Sequence, residues 1–308
     1  MGGEKPKKEG FDGARKRAKT STSAFGVSRR ESHDASTYYN SRINKGIASQ
    51  RDVGEPQELP ETFHNVILTG DARENPLPDN CVQLVVTSPP YNASKAYDDD
   101  LTLDEYLKLL HDVFAECYRV LSPGGRMVVN VANLGRKPYI PLSTYINSMM
   151  IELGFLMRGE IIWDKSASAG SSCAWGSFQS ASNPCLRDIH EYLLVFSKGD
   201  YKLPRSKKER AEGRIDTIEK RDFIEQTKSI WRFATERASR VNHPAPFPVE
   251  LPRRCMLEQG RLVVVVSARG DCDLVRVVEV KALHGERGRR RQQGRRTRGR
   301  HRHRGPRP

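Results

Sequence analysis

Residues 82–132 hold the pattern that most narrows what this chain can fold into. An apolar run, VQLVVTS (82–88), is followed by an amphipathic segment and then by a second apolar run, RMVVNVA (126–132). The amphipathic segment opens with Thr102-x-x-Glu105, a capping box in which each side chain satisfies the other residue's backbone N–H. Leu103, Tyr106, Leu107, Leu110, Val113, Phe114, Cys117 and Leu121 then recur at helical spacing, which predicts a helix with one apolar face. Ser122-Pro123-Gly124-Gly125 stops it. The same alternation extends along the chain. NVILTGDA reads as a strand entering a Gly-Asp turn, YIPLSTYINSMMIELGF as a second helix ending at Gly154, and GEIIWDK (159–165) and HEYLLVFSKG (190–199) as further strands. Strands alternating with helices predict a layered α/β sheet, with ligands at the carboxyl ends of its strands. Ser88 to Asn92 lie just past such an end.

The 308 residues are enough for one large domain or two small ones. Residues 1–60 are polar, basic at the start and short of apolar periodicity, so they are expected to be mostly disordered. The core domain is expected over 61–256, and residues 257–308 form an atypical Arg-rich tail. The net charge of +14 belongs to the ends: 281–308 carry +11 and 1–22 carry +4, which leaves −1 between them. The overall charge therefore says little about what the folded part binds. No apolar run approaches the roughly 18 residues that span a bilayer, and the first residues lack the apolar stretch of a signal peptide. A cytoplasmic protein without a membrane partner is the expectation. Six cysteines occur with no C-x-x-C pair, which argues against a zinc site or a disulfide framework. No metal is expected.

The stretch TSPPYN (87–92) stiffens the backbone where the first apolar strand ends. Two prolines can simply terminate a strand. They also fix φ and remove an N–H that would compete for nearby carbonyls. An exocyclic amine on a nucleobase is a poor nucleophile, because its lone pair is conjugated into the ring. Acceptors for both amino hydrogens help the nitrogen become tetrahedral as it attacks an electrophilic methyl. Ser88 Oγ and a Pro-Pro carbonyl could supply those acceptors, and Tyr91 offers a face on which an extruded base can stack. No covalent intermediate is needed, and no cysteine accompanies the motif.

GDARENPLPDNCVQLVVTSPPYN resembles the junction of motifs III and IV of the DNA amino-methyltransferases, whose catalytic tetrapeptide is (D/N/S)-P-P-(Y/F/W). The segments that follow, GEIIWDK, HEYLLVFSKG, SIWRF and HPAPFPVELPRRCM, resemble the later parts of that family in the same order. The order is similar to the β, circularly permuted arrangement. The resemblance covers roughly residues 64–256 and implies a Rossmann-like sheet with helices on both faces and S-adenosylmethionine as cofactor. It implies methyl transfer to N4 of cytosine, favoured by serine at the first motif position, or to N6 of adenine. It further implies double-stranded DNA as partner, a cognate restriction endonuclease and a DNA-associated location in the cytoplasm. The oligomeric state is left open.

Carried over residue by residue, the resemblance makes Ser88, Pro89, Pro90 and Tyr91 catalytic. It sets Asp71 and Ala72, with Pro246 and Phe247 in the His243–Pro248 run, beside the cofactor. Trp163-Asp164-Lys165 falls near the target-base pocket, although Trp163 also reads as plain core. His190 and Glu191 read as structural residues at the start of a strand. Residues 166–230 are expected to read the target, with Trp175, Phe178, Lys207, Lys208 and Arg210 as candidate DNA contacts, alongside the reading of a solvated charged face.

One expected part is missing. The resemblance calls for D-P-F-x-G-S-G-T soon after Arg254, a glycine-rich loop whose backbone approaches the cofactor at a helix N-terminus. The chain instead reads CMLEQGRLVVVVSARGDCDLVRVVEV and then an Arg-Gly-His tail, with Gly270 a lone glycine. The C-terminal part of the fold is therefore expected to be incomplete. The tail is either a native nucleic-acid contact or the product of a reading-frame shift near codons 255–260. In either case a catalytically impaired nucleic-acid-binding remnant stands beside the enzyme reading.

Overall fold

The computed structural model describes residues 20–21, 33–34, 39–47, 50–64, 66–92, 101–135, 137–165, 176–204, 218–236, 248–259, 262–269 and 272–279. The chain divides into two units, 1–48 and 49–308. In the first, β1 (Thr20–Ser21) pairs in parallel with β2 (His33–Asp34), and Arg42–Asn44 form a 3-10 turn.

The second unit is built on one eight-stranded sheet. Its strands are β3 (Ile67–Thr69), β4 (Val82–Ser88), β5 (Leu121–Val131), β6 (Leu156–Asp164), β7 (His190–Ser197), β8 (Ile230–Arg232), β9 (Leu262–Arg269) and β10 (Cys272–Glu279). Their spatial order is β3-β10-β9-β4-β5-β7-β6-β8. The helices are α1 (Leu103–Val120), α2 (Leu142–Glu152), α3 (Lys220–Gln226) and α4 (Glu250–Gln259). None is long and apolar enough to cross a membrane, among the described residues.

Period-2 alternation sends the strand side chains to two separate cores. Val85, Met127, Val129, Leu194 and Phe196 pack with Tyr106, Leu110 and Phe114 of α1 and Ile146 and Met150 of α2. Leu84, Val86, Val128, Leu193 and Val195 point the other way, against Trp163, Trp231 and Leu251 and Cys255 of α4. With a helix layer on each face, β4 has no solvent side, which is why its sequence reads as an almost unbroken apolar run. The capping box forms as expected: Glu105 N–H donates to Thr102 Oγ1 at 3.3 Å and Thr102 N–H to Glu105 Oε2 at 2.9 Å. Gly124 sits at φ +72°, and a Cβ there would lie 2.2 Å from the Lys202 carbonyl oxygen. Only glycine lets the start of β5 pass so close to the segment after β7.

Two boundaries differ from expectation. Residues 51–60, assigned to a mostly disordered N-terminal segment, lie along the sheet domain. Arg51 N–H donates to Gly199 O at 2.7 Å, Asn80 Nδ2 to Val53 O at 3.1 Å, and Leu59 is buried in the first core. Backbone pairing and one apolar anchor hold this stretch, and neither leaves a periodic signal. The domain also does not end at 256. β9 pairs in parallel with β4, and β10 returns antiparallel to β9 and pairs with β3. The tail sequence allows this because LVVVV and DLVRVVEV are β-branched and half-alternating. Residues 281–308, which hold the Arg-rich run, lie outside the described residues.

Candidate active site

Strand directions converge on one edge of the sheet. β4 runs parallel to β5 and β9, β6 runs parallel to β8, and β7 is antiparallel to both β5 and β6. The carboxyl ends of β4, β5, β6, β8 and β9 therefore lie on the same edge as the start of β7. β3 reaches that edge too, since it is antiparallel to β10, itself antiparallel to β9. Ser88, Asp164, His190, Glu191 and Arg232 are thereby gathered from distant parts of the chain.

Ser88 is the last residue of β4 and pairs across to Ser267 of β9. Pro89 is buried, and Pro90, Tyr91 and Asn92 are half-buried. Tyr106, buried on α1, donates its hydroxyl to the Pro90 carbonyl at 2.7 Å. One of the two proline carbonyls is thus already engaged by the fold, and Pro89 O becomes the acceptor candidate beside Ser88. Asn92 adopts φ 52° and clasps Leu101, accepting from its N–H at 3.3 Å and donating to its carbonyl at 2.5 Å. Asn tolerates this left-handed conformation better than most residues. The clasp fixes the exit of the Pro-Pro-Tyr turn.

Tyr91 donates its hydroxyl to Glu191 Oε2 at 3.2 Å. Glu191 accepts from Asn130 Nδ2 at 2.9 Å and from Lys165 Nζ at 2.5 Å. Asn130 is 2% exposed, and its amide nitrogen also reaches the Tyr192 carbonyl at 3.3 Å. Burial pushes the Tyr91 phenol well above its ordinary value, and the neighbouring Glu191 charge adds to the effect. Tyr91 is therefore a neutral hydroxyl at any physiological pH.

Trp163, one candidate for the base pocket, is 3% exposed and belongs to the second core. Its ring stacks on Phe233 at 5.1 Å and its Nε1 donates to Phe233 O at 3.0 Å. This ring supports the sheet and has no open face for a base. Lys165 turns toward the site, and Asp164 accepts from Arg232 Nε at 3.0 Å. His190 packs edge-on against Tyr192 at 5.0 Å.

Of the expected cofactor residues, Asp71 and Ala72 are described. Asp71 follows β3, three strand spacings from Ser88, roughly 14 Å across the sheet. Its carboxylate is held by Arg73 Nε at 2.9 Å, and this hydrogen bonding keeps its pKa below the usual carboxylate range. Ala72 is 3% exposed and contributes its side chain to the first core. Pro246, Phe247, Trp175, Lys207, Lys208 and Arg210 lie outside the described residues. Phe178 is described and exposed.

Beside Ser88, the chain leaves β9 at Arg269 and re-enters the sheet at Cys272 opposite it. Among the described residues no helix follows β9 on this edge, and residues 270 and 271 lie outside them.

The residue that sequence reasoning undervalued is Glu191, with Asn130 as its support. A signal was present: Asn130 interrupts the apolar run MVVNV on a strand buried on both faces, and a buried amide there requires a partner.

A family model described as DNA methylase, of the N6/N4 methyltransferase type, matches residues 82–259. Among curated proteins, the Type II methyltransferase M.MjaVI of Methanocaldococcus jannaschii is 32% identical over 164 residues, 52% of this chain and 80% of that protein. The Type II methyltransferase M.BglII of Bacillus subtilis is 38% identical over 112 residues, 35% of this chain and 31% of that protein. Among solved structures, a DNA modification methylase of Thermus thermophilus, complexed with S-adenosyl-L-methionine, is 28% identical. It aligns over 64% of this chain and 77% of its own, with a TM-score of 0.47.

Proposed function

The chain belongs to the N6/N4 DNA methylases, and from that premise we propose that its Ser88-Pro89-Pro90-Tyr91 turn presents the exocyclic amine of a flipped DNA base for methylation, with N4 of cytosine as the favoured target. S-adenosylmethionine is the methyl donor, and when bound it supplies an electrophilic methyl on a positively charged sulfonium. The chain's own residues act on the amine. Ser88 Oγ and Pro89 O each accept one amino hydrogen, which draws the nitrogen lone pair out of conjugation with the ring. Tyr91 stacks on the base once it has left the helix. The observation that carries this reading is the bond from Tyr106 to Pro90 O. It holds the turn rigid while leaving the other proline carbonyl beside Ser88 for a substrate. Serine rather than a carboxylate at the first position favours cytosine over adenine N6.

Double-stranded DNA is the proposed substrate, read by residues 166–230 with Trp175, Lys207, Lys208 and Arg210 in contact. A cognate restriction endonuclease is the proposed companion. The sequence after Arg254, which reads CMLEQGRLVVVVSARGDCD where the family has D-P-F-x-G-S-G-T, supports a second reading of this particular chain: a base-binding half-site whose cofactor affinity is reduced. Both readings are tested by incubating DNA with isotopically labelled S-adenosylmethionine and hydrolysing it to nucleosides. N4-methylcytosine formed by the chain and lost in Ser88→Ala supports the enzyme reading. N6-methyladenine reassigns the base. No label in either supports the half-site reading.

A further inference from the structure

The chain leaves the edge that holds Ser88 at Lys165 and returns to it at Ile189, whose carbonyl accepts from Lys165 N–H at 2.8 Å. Both stems therefore meet beside the Glu191 carboxylate that anchors Lys165 and Tyr91. Between them, residues 176–184 close on themselves. Gly176 and Pro184 form an antiparallel bridge, and Ser177 N–H donates to Asn183 O at 2.9 Å. Ser177 Oγ accepts from Asn183 N–H at 2.8 Å and donates to Ser180 O at 2.7 Å. Ser180 Oγ donates to Ser182 Oγ at 3.0 Å and accepts from Ser182 N–H at 3.3 Å. The closure requires glycine at 176, which sits at φ +67° and where a Cβ would lie 2.2 Å from the Asn183 carbonyl oxygen. These bonds hold the backbone on both sides of Phe178, whose side chain is 64% exposed. Gln179, next to it, adopts φ 54°, a left-handed conformation that glycine takes at lower cost. Exposed apolar residues scattered singly are ordinary. A ring held out on a tied loop is a different case, because the fixed backbone removes most of the ordering cost of inserting that ring into a partner. The stem from Pro184 to Ile189 carries the tip as far as roughly 18 Å from the edge, more than the ~12 Å width of a DNA major groove.

We propose that Phe178 is a wedge that enters the base stack of duplex DNA and fills the space vacated by the flipped base. The proposal rests on the function proposed above and deepens it by naming what holds the duplex open. Extruding a base costs its stacking and pairing energy, and the gap it leaves is apolar on both sides. A phenylalanine ring inserted between base steps replaces the lost stacking partner of each neighbouring base. It reads no hydrogen-bonding edge, so it serves whatever sequence the protein targets. The Pro-Pro-Tyr turn then holds the extruded base while Phe178 occupies its place, and both act from one edge of the sheet.

Fluorescence anisotropy on the full chain without cofactor tests this with two labelled duplexes of one sequence, one intact and one carrying a single tetrahydrofuran abasic site. The abasic gap is already open, so a wedge gains from it at any sequence. Salt is raised to suppress non-specific binding by the Arg-rich tail. The wild type is expected to bind the abasic duplex about tenfold more tightly, from the stacking of one ring. Phe178→Ala should bring the ratio close to one, and Phe178→Trp should keep it. Ser177→Ala, which loses both bonds made through its Oγ, should give an intermediate ratio. Since Phe178 is exposed, its replacement should leave the urea midpoint unchanged, which separates a lost wedge from a damaged fold. A wild-type ratio near one, or a preference kept in Phe178→Ala, overturns the proposal.

Phe178→Trp supplies a second readout. Stacking between bases quenches indole emission, so the emission of this variant, taken as the difference from wild type, should fall when abasic duplex is added. An unquenched difference overturns the insertion. Absence of methyl transfer with a Phe178-dependent abasic preference counts against the enzymatic reading alone, whereas transfer without that preference counts against the wedge alone.

Discussion

Lys198 offers a prediction whose size follows from its surroundings. It is 4% exposed, donates to Asn80 Oδ1 at 2.6 Å and to Arg119 O at 3.1 Å, and lies 4.9 Å from the Tyr118 ring centroid. It anchors the start of the 198–204 segment to the end of α1. Burial lowers its pKa from 10.5 to about 8. Between those values the unfolded chain holds a proton that the folded chain has released, so stability rises with pH across the window. At about 1.4 kcal/mol per unit the full effect is about 3 kcal/mol. Two thiols oppose it. Burial raises Cys81 from 9.0 to about 11 and Cys117 from 9.0 to about 12, so above pH 9 the folded chain keeps protons that the unfolded chain loses. These contributions fall as pH rises. The sum is a gain of about 1.4 kcal/mol between pH 8 and 9, followed by a decline. Urea denaturation in reductant at half-unit steps from pH 7 to 10.5 measures it. Lys198→Met keeps the length of the buried stem and should abolish the rise between 8 and 9, leaving only the general easing of net positive charge. An identical rise in wild type and Lys198→Met refutes the reasoning.

Tyr106→Phe removes the bond to Pro90 O without opening a cavity, and should cost about 1 kcal/mol of stability. Because the freed Pro90 carbonyl then competes with Pro89 O for the base, the rate of methyl transfer should fall as well; an unchanged rate would show that the bond is merely structural. Deleting residues 281–308, which carry a net charge of +11, should flatten the salt dependence of DNA affinity. A salt slope identical to that of the full chain would exclude the tail from the interface.

Much of the scaffold was legible because it is local. The capping box and apolar stripe of α1 lie within one helix, and VQLVVTS states its burial on both faces in seven residues. The Pro-Pro-Tyr turn was legible as chemistry because proline has few reasons to occur twice at the end of a central strand. Glu191 was not, since at the start of a strand it reads as a structural residue. What makes it otherwise is its separation from Tyr91 by 100 residues, from Asn130 by 61 and from Lys165 by 26. Such a cluster exists only once the sheet order is known. The extent of the sheet was hidden for a related reason. β9 and β10 sit among Arg and Gly with no helix between them, and the expectation of a loop and helix there drew attention away from the β-branched runs. Residues 51–60 are held by backbone bonds to Gly199 and Asn80, which no side-chain pattern encodes.

The most direct test concerns the donor half of the site. Isothermal titration of S-adenosylmethionine into the purified full chain, with thermal unfolding followed on the same preparation, measures it. The enzymatic account predicts saturable binding at one site per chain of a cooperatively folded protein. A cooperatively folded chain that gives no saturable heat up to roughly millimolar cofactor would contradict it.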